Sequence, residues 1–555
     1  MTQIVKEETA VEVAKRASDY LRGTLNDELE NSSPKFDGDS EQLLKFHGIY
    51  AQDNRDVRRE RSLAGEELEH IFMTRVVVPG GFLTSEQWLA IDVIADSVAD
   101  GTIRLTTRQA IQYHGTVKGD LRQLARELDE VMMTSFGGCG DVVRNVVMCP
   151  DLQASHHDPS HRDQALALAT KFRPKTTAHW EIFVDGQLAA SRETVAEHAF
   201  YGDTYLPRKF KIAIANPGEN CVDVYAQDLG LIPGNHPELG EGYTFVVAGG
   251  LGRNYAHEHT FARLGEPLAF VPRSDVDDVI AAVLDAYKDL GDRTDRKRAR
   301  LKYVVADAGL PAFRLEIEQR LGRSLAPPLD LPTEFDRHDH LGWSQHRDGL
   351  WRVGVRVAAG RIRDDERTQT RSALRQLATA LPVRFYLTAQ QDIIIDGITE
   401  DERAFVQQAL LAAGVRSAED LGPIEKSALA CPALPTCSQA LTESERVLSD
   451  IVSQFESALE TRGLARRPVT LRVTGCPNGC ARPAVAEIGI VGRTKSTYDI
   501  YVGGSKRGDR LASLAFEKVK VVDLAATVAP LLDAWASSGD ENESFGDFAH
   551  RRGVQ

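Results

Sequence analysis

The sequence predicts an α+β molecule assembled from two different units, each present twice, so that the chain folds about a pseudo-two-fold axis. Three observations predict it. Strand, helix, strand, helix is the order from about residue 71 and again from about residue 350. Within those stretches Leu105-Thr-Thr-Arg-Gln-Ala-Ile111 lies over Leu387-Thr-Ala-Gln-Gln-Asp-Ile393 at one constant offset, with Gly115 over Gly397. A second echo lies outside them: Asp228-Leu-Gly-Leu-Ile232 resembles Glu487-Ile-Gly-Ile-Val491, and Tyr243-Thr-Phe-Val-Val-Ala-Gly-Gly250 resembles Tyr498-Asp-Ile-Tyr-Val-Gly-Gly504. Self-similarity in two separate units marks an internal duplication.

The 555 residues then divide into an N-terminal arm (1–65), a half-domain (66–135), a larger unit (136–335), a second half-domain (336–422) and a second larger unit (423–555). The arm is polar, and its basic run from Arg55 to Arg61 reads as a solvated face. Phe72 to Val78 reads as a strand ended by Pro79-Gly80-Gly81. Thr84-Ser-Glu-Gln87 caps a helix that buries Trp88, Ile91, Ala95 and Val98 and stops at Gly101. A strand from Thr102 to Tyr113 and a helix from Asp120 to about Met133, burying Leu121, Leu124, Leu128 and Val131, complete the first half-domain. The second repeats this as strand 351–357, helix 366–380, strand 383–395 and helix 400–413.

Composition excludes several classes. A formal net charge of −15 is opposite in sign to a nucleic-acid footprint. No apolar stretch reaches membrane-spanning length, and the first thirty residues hold no apolar signal segment, so the expected location is cytoplasmic with no membrane partner. Seven cysteines, an odd number in a long chain, do not suggest a disulfide framework. Cys139, Cys149 and Cys221 stand apart from the rest and read as small buried apolar side chains. Gly249-Gly-Leu-Gly252 opens no helix and lacks the acidic residue of a dinucleotide site, so it reads as a close backbone approach, either to packing or to a ligand.

The remaining four cysteines form two short loops, Cys431-Pro-Ala-Leu-Pro-Thr-Cys437 and Cys476-Pro-Asn-Gly-Cys480. Between them Thr442-Glu-Ser-Glu445 has the form of a capping box; Leu448, Ile451, Val452, Phe455 and Leu459 follow at helical spacing, and Val469 to Val473 alternates like a strand. A helix out and a strand back would bring the loops together. Four converging thiolates suit a cubane iron–sulfur cluster or a structural zinc, and the five-residue gap with two prolines fits zinc knuckles poorly.

Cys-x5-Cys followed by Cys-x3-Cys within Val473-Thr-Gly-Cys-Pro-Asn-Gly-Cys-Ala-Arg-Pro483 resembles the signature of the sirohaem-containing sulfite and nitrite reductases, and the resemblance runs from about Leu21 to Gly553. It implies the nitrite/sulfite reductase fold with ferredoxin-like half-domains. It also implies a [4Fe-4S] cluster on Cys431, Cys437, Cys476 and Cys480, with Cys480 the axial ligand of a sirohaem. Arg75, Arg144 in Gly140-Asp-Val-Val-Arg-Asn145, and Lys209 and Lys211 in Leu206-Pro-Arg-Lys-Phe-Lys211 match the cations that face sulfite. Arg104, Thr106, Arg108, Gln109, His114, Arg208, Arg296, Arg300, Lys302 and Gln391 are the expected contacts to the eight carboxylates of the tetrapyrrole, a satisfied core hydrogen bond being the other reading of His114 and the glutamines.

The implied activity is assimilatory reduction of sulfite to sulfide in six one-electron steps. Electrons would come from a ferredoxin or, alternatively, an NADPH-dependent flavoprotein; nitrite reduction and a colourless zinc protein are the rival readings. Strings such as Thr260-Phe-Ala-Arg-Leu-Gly-Glu-Pro267 look closer to ferredoxin-dependent members. Some of those members carry a tyrosine just before the first arginine, covalently joined to a nearby cysteine. His70-Ile-Phe-Met-Thr74 contains none, which implies that Cys139 is a free thiol.

Overall fold

The computed structural model describes residues 7–150, 161–174, 181–184, 187–191, 200–332, 334–346 and 348–554. Four five-stranded sheets form two matching pairs. The first has the order Ile49–Asp53, His70–Val76, Ile111–Thr116, Ile103–Leu105, Arg361–Ile362; the second has Gly342–Gln345, Trp351–Val355, Ile393–Ile398, Arg384–Leu387, Phe82–Thr84. Each of these sheets thus takes its last strand from the other half-domain. Phe82–Thr84 leaves the first copy to pair with Arg384–Leu387, and Arg361–Ile362 returns to pair with Ile103–Leu105.

The third and fourth sheets also match. Glu266–Pro272, Gly240–Val247, Leu229–His236, Ile212–Ile214 and Val147–Met148 correspond in order to Ser513–Lys520, Thr497–Val502, Ile488–Thr494, Leu471–Thr474 and Leu429–Ala430. The duplication expected from the two sequence echoes is therefore present in strand order, including the parallel pairing of the last three strands in each sheet.

Local chemistry explains most boundaries. Thr84 caps the helix Ser85–Val98 with a complete capping box to Gln87, which satisfies two otherwise free backbone N–H groups. The expected long strands 102–113 and 383–395 are each two short strands, because Gln109 and Gln391 take left-handed backbone conformations (φ 50° and 69°) and turn the chain. Thr106 and Thr388 hold these turns: each hydroxyl accepts from the N–H groups two and four residues on. The helix expected to reach Met133 is Leu121–Glu130, so Val131 falls beyond its end.

The glutamines join the halves reciprocally. Gln109 Nε2 donates to Leu387 O (2.7 Å), and Gln391 Nε2 donates to Leu105 O (3.4 Å). A second axial contact is ionic. The offset that carries Asp228 onto Glu487 carries Asp223 onto Arg482, and these two left-handed residues pair directly at 3.0 Å. Asp223 is fully buried and also binds Arg472 (2.8 Å) and Arg337 (2.5 Å). Burial opposes its charge, yet the three guanidiniums hold the carboxyl well below the usual carboxylate range.

Most of the basic run is solvated, as expected, since the helix Arg58–Ala64 has no buried residue, but other parts of the arm are packed into the molecule. Phe46 is in the main core, Ile49–Asp53 pairs with His70–Val76, and Arg55 donates to Cys437 O (3.2 Å) and Ala440 O (2.7 Å). The expected capping box at 442–445 is also different. The helix begins at Leu448, Thr442 Oγ1 donates to Lys495 O, and Glu445 reaches out to Arg104 (2.8 Å) and Arg361 (2.7 Å). Those arginines stand directly opposite on paired strands, where like charges repel, and the carboxylate between them removes the conflict.

This clamp has a pH signature. Burial raises the Glu445 pKa, but Arg104 and Arg361 outweigh it and bring the carboxyl down to about 2. Its folded-state pKa is thus below the unfolded value, so its stabilisation is present above about pH 4.3 and is lost as the pH falls toward 2. Glu445→Gln should cost about 3–5 kcal/mol at pH 7, as breaking one partner of a buried pair does. Thermal unfolding across pH 2–7 should show the difference from the unaltered chain shrinking toward acid; a constant difference would contradict the clamp.

Candidate active site

The two cysteine loops meet where parallel strands end. Leu429–Ala430 and Leu471–Thr474 are parallel neighbours, and Cys431 and Cys476 come just after their carboxyl ends, where ligands gather in open parallel sheets. Cys437 and Cys480 complete the group: burial and then the neighbouring sulfurs push the Cys431 thiol up and the Cys476 thiol up to about 12. Cys431 and Cys476 would therefore give up their protons at neutral pH only to a metal centre.

Backbone amides already face these sulfurs. Gly475 N–H donates to Cys431 Sγ (3.3 Å), and the amides of Gln439 and Ala440 lie on Cys437. Such donors tune iron–sulfur clusters. Four thiolates supplied by two Pro- and Gly-rich loops, with backbone amides on the sulfurs, suit a polynuclear cluster.

Cys480 is the exposed member and lies in the floor of a cleft lined by Arg108, Arg208, Lys209, Lys211, Arg296, Arg300 and Lys302. Arg253, Lys297 and Arg482 add three cations that were not among the expected contacts, and among the described residues no carboxylate lines the cleft. In a chain of net charge −15, this is a site for a large polyanion. It fits a polycarboxylate tetrapyrrole, with Cys480 among the lining residues. Arg482 was available to sequence reasoning, two residues past Cys480 inside the quoted motif. Lys297 sits inside the basic string from Arg296 to Lys302; Arg253 carried no comparable signal.

Carboxylates behind the wall hold the arginines. Asp141 binds Arg208 (3.2 Å) and Arg296 (2.8 Å), and Asp228 binds Arg300 (2.8 Å). Lys302 donates to Gly250 O and Gly252 O, and Arg108 to Gln227 Oε1. Lys209 and Lys211 flank buried Phe210, so alternation along an extended segment puts both on one face. Neither ammonium hydrogen-bonds to a described residue. Burial, then Arg108 and Arg300, bring Lys211 down to about 7; burial and Arg208 lower Lys209 further from its ordinary value.

Arg75 and Arg144 stand beside the cleft rather than in its lining. Arg144 is pinned by Gly140 O (2.9 Å) and Gly138 O (3.3 Å). Gly140 has φ 87°, and a Cβ there would meet the Phe46 ring at 2.7 Å. Arg75 donates to Cys139 Sγ (2.8 Å) and its guanidinium lies over the Tyr50 ring. Cys139 is a free cysteine, as expected, although Tyr50 on the neighbouring strand, paired in register with Met73, lies close to Arg75. Cys139 is buried but is an acceptor for a cation rather than inert filling.

The other expected contacts lie behind the cleft. Arg104 is committed to Glu445 and Ala430 O, and Thr106 to its turn. Gln109 bonds Met148 through both its oxygen and its nitrogen, and Gln391 Oε1 accepts from Ala430 N–H. His114 is buried with neither ring nitrogen paired among the described residues; burial and then Arg361 hold it well below the ordinary imidazole value. The glycine string packs closely and also lines the cleft: a Cβ on Gly252 would meet Asn478 O at 3.1 Å, Arg253 N–H donates to Pro477 O, and Leu251, Gly252 and Arg253 belong to the cleft lining.

Comparisons with known proteins agree with this arrangement. Residues 165–325 and 426–555 match the nitrite and sulphite reductase 4Fe-4S domain, and residues 65–131 match the nitrite/sulfite reductase ferredoxin-like half domain. A sulfite reductase [ferredoxin] of Synechococcus elongatus is 39% identical over 98% of this chain and 89% of its own length. A sulfite reductase [NADPH] hemoprotein beta-component of a Paenibacillus species is 40% identical over 98% of this chain and 95% of its own length. The structure of the Mycobacterium tuberculosis NirA protein superposes with a TM-score of 0.78 at 24% identity, covering 98% of this chain and 97% of that one. No helix among the described residues is long and apolar enough to cross a membrane.

Proposed function

Because the chain belongs to the nitrite and sulfite reductase family, we propose that it reduces sulfite to sulfide. Cys431, Cys437, Cys476 and Cys480 would hold a [4Fe-4S] cluster, and the cation-lined cleft, with Cys480 in its lining, would hold a sirohaem. The observation that carries this reading is the exposure of Cys480, alone of the quartet, on the floor of a cleft with ten cationic side chains and, among the described residues, no carboxylate. When bound, the sirohaem supplies an iron that coordinates sulfite and passes electrons to it.

The chain supplies charge and protons. Arg75 and Arg144 are planar donors suited to an oxyanion, and Arg144 is held in place by two carbonyls before any ligand arrives, the condition for electrostatic preorganisation. Lys209 and Lys211 keep their donors free for a ligand. A lysine near pKa 7 is matched to proton delivery at neutral pH, which departing oxygens need to leave as water. Arg108, Arg208, Arg296, Arg300 and Lys302 would meet the tetrapyrrole carboxylates, while Arg104, Thr106, Gln109, His114 and Gln391 support the wall. Arg144→Ala should lower sulfite turnover by about 10²–10³ with near-normal cofactor spectra; full activity would remove Arg144 from the reaction.

For the electron donor we assign a ferredoxin. Arg55 bonds the Cys437 loop, and the helix Arg58–Ala64, which has no buried residue, follows it; Arg59 is exposed there, while Arg58 pairs with Asp53 and Arg61 with Glu66. Ferredoxins are acidic, and a basic patch at the cluster would steer them within a Debye length of about 8–10 Å. Sulfite-dependent oxidation of reduced ferredoxin should fall steeply with rising salt and should weaken when Arg58 and Arg59 are changed to Glu. Turnover with an NADPH flavoprotein and none with ferredoxin would overturn the donor assignment while leaving sulfite reduction standing.

A further inference from the structure

The duplication gives the cysteine quartet a counterpart in the first half of the chain. Strand pairing identifies it. Val147–Met148 runs parallel to Ile212–Ile214, as Leu429–Ala430 runs parallel to Leu471–Thr474. The next residue is Cys149 in one copy and Cys431 in the other; Cys149 N–H donates to Ile214 O (2.9 Å), and Cys431 N–H donates to Val473 O (3.3 Å). The offset that superposes Asp228 on Glu487 places Cys221 on Cys480, Glu219 on Asn478 and Pro217 on Cys476. Two of the sulfur positions thus persist in the first half.

They have acquired different company. Glu219, from the turn before Cys221, and His340, from the linker into the second half-domain, converge on the two sulfurs, and all four ligand atoms lie within 4.8 Å of one another. His340 Nε2 is 3.7 Å from Cys149 Sγ and 2.8 Å from Glu219 Oε1. A tetrahedral zinc with Zn–S of about 2.3 Å and Zn–N of about 2.0–2.1 Å places sulfur and nitrogen about 3.6 Å apart. Both cysteines are wholly inaccessible, the His340 side chain is fully buried and that of Glu219 nearly so. Glu219 Oε1 makes no hydrogen bond of proper geometry despite its closeness to Nε2. His340 is moreover held at φ 58°, a left-handed conformation that a non-glycine residue adopts only where its surroundings require it.

We propose that Cys149, Glu219, Cys221 and His340 form a binding site for one zinc ion, at the position where the second half of the chain carries the cysteine quartet. Two sulfurs, one imidazole nitrogen and one carboxylate oxygen are a zinc ligand set, and four protein ligands close the coordination sphere, as in structural rather than catalytic sites. The donors come from three segments. Cys149 follows a core strand; Glu219 and Cys221 lie on the turn whose Asn220 N–H donates to Asp336 O; His340 belongs to the linker, where Gln390 of the second half-domain bonds His338 O. The ion would pin the linker to the first larger unit at the junction between the two halves.

The test is metal content and metal environment in the full chain, purified with its cofactors under reducing conditions, exposed to zinc sulfate and passed through a desalting column. About one zinc per chain is expected in addition to the iron, and zinc-edge X-ray absorption should show two sulfur neighbours at about 2.3 Å and two nitrogen or oxygen neighbours at about 2.0–2.1 Å. The double variant Cys149→Ser, Cys221→Ser should lose the zinc and keep its iron; should that variant fail to fold, the absorption spectrum of the unaltered chain decides. Zinc at background in the unaltered chain, a shell of four sulfurs, or full zinc retention by the double variant would overturn the proposal.

Discussion

Asp223 is a carboxylate with no access to solvent, and in isolation its charge would be expensive to bury. It is tolerated because three guanidiniums surround it, and their origin matters more than their number. Arg472 and Arg482 come from the second half of the chain and Arg337 from the linker, so the charge is balanced only when both halves are folded and docked. Removing the carboxylate would strand the arginines, of which Arg472 is already brought down to about 9 by burial. Since Arg482 is the duplicated counterpart of Asp223, the ancestral repeat has become complementary to itself across its own axis.

The same departure from symmetry creates the site. Asp228 holds Arg300 at the cleft wall, whereas its counterpart Glu487 accepts from the backbone of Thr470 and Gly546 and holds no arginine. Arg108 faces the cleft, and its counterpart Gln390 bonds His338 O instead. Sulfur is distributed in the opposite sense, with four cysteines in the second half against two at the equivalent position of the first. Cations from one copy and metal ligands from the other therefore meet at the junction, and neither copy alone could bind both an anionic tetrapyrrole and a cluster.

Much of this was legible in the sequence for a physical reason: repeats leave echoes, and metal ligands need particular atoms at particular spacings. The two units, the quartet and the cationic strings from Arg208 to Lys211 and Arg296 to Lys302 could be read directly. What escaped was long-range pairing. Nothing in Phe82-Leu-Thr84 says that it joins the sheet of the other half-domain, and the pattern Thr442 to Glu445 is shared by a helix cap and an interdomain clamp, with only the opposed arginines deciding between them. Gln109 and Gln391 were expected as ligand contacts from the family resemblance, yet their amides are spent on backbone groups of both halves. Cys149 and Cys221 were read as filling because they lie 72 residues apart, with His340 more than a hundred residues beyond them, and Glu219 beside Cys221 carries no signal without those partners.

The central claim is that the second half holds a polynuclear cluster beside the cleft, with Cys480 belonging both to the quartet and to the cleft lining. The most direct measurement is iron, acid-labile sulfide and tetrapyrrole content in the purified chain and in Cys480→Ser. About five iron atoms, four sulfides and one tetrapyrrole per chain are predicted for a [4Fe-4S] cluster with one haem iron, with both cofactors depleted in the variant. A colourless chain with zinc on the quartet and no labile sulfide, or a variant with both cofactors intact, would contradict the account.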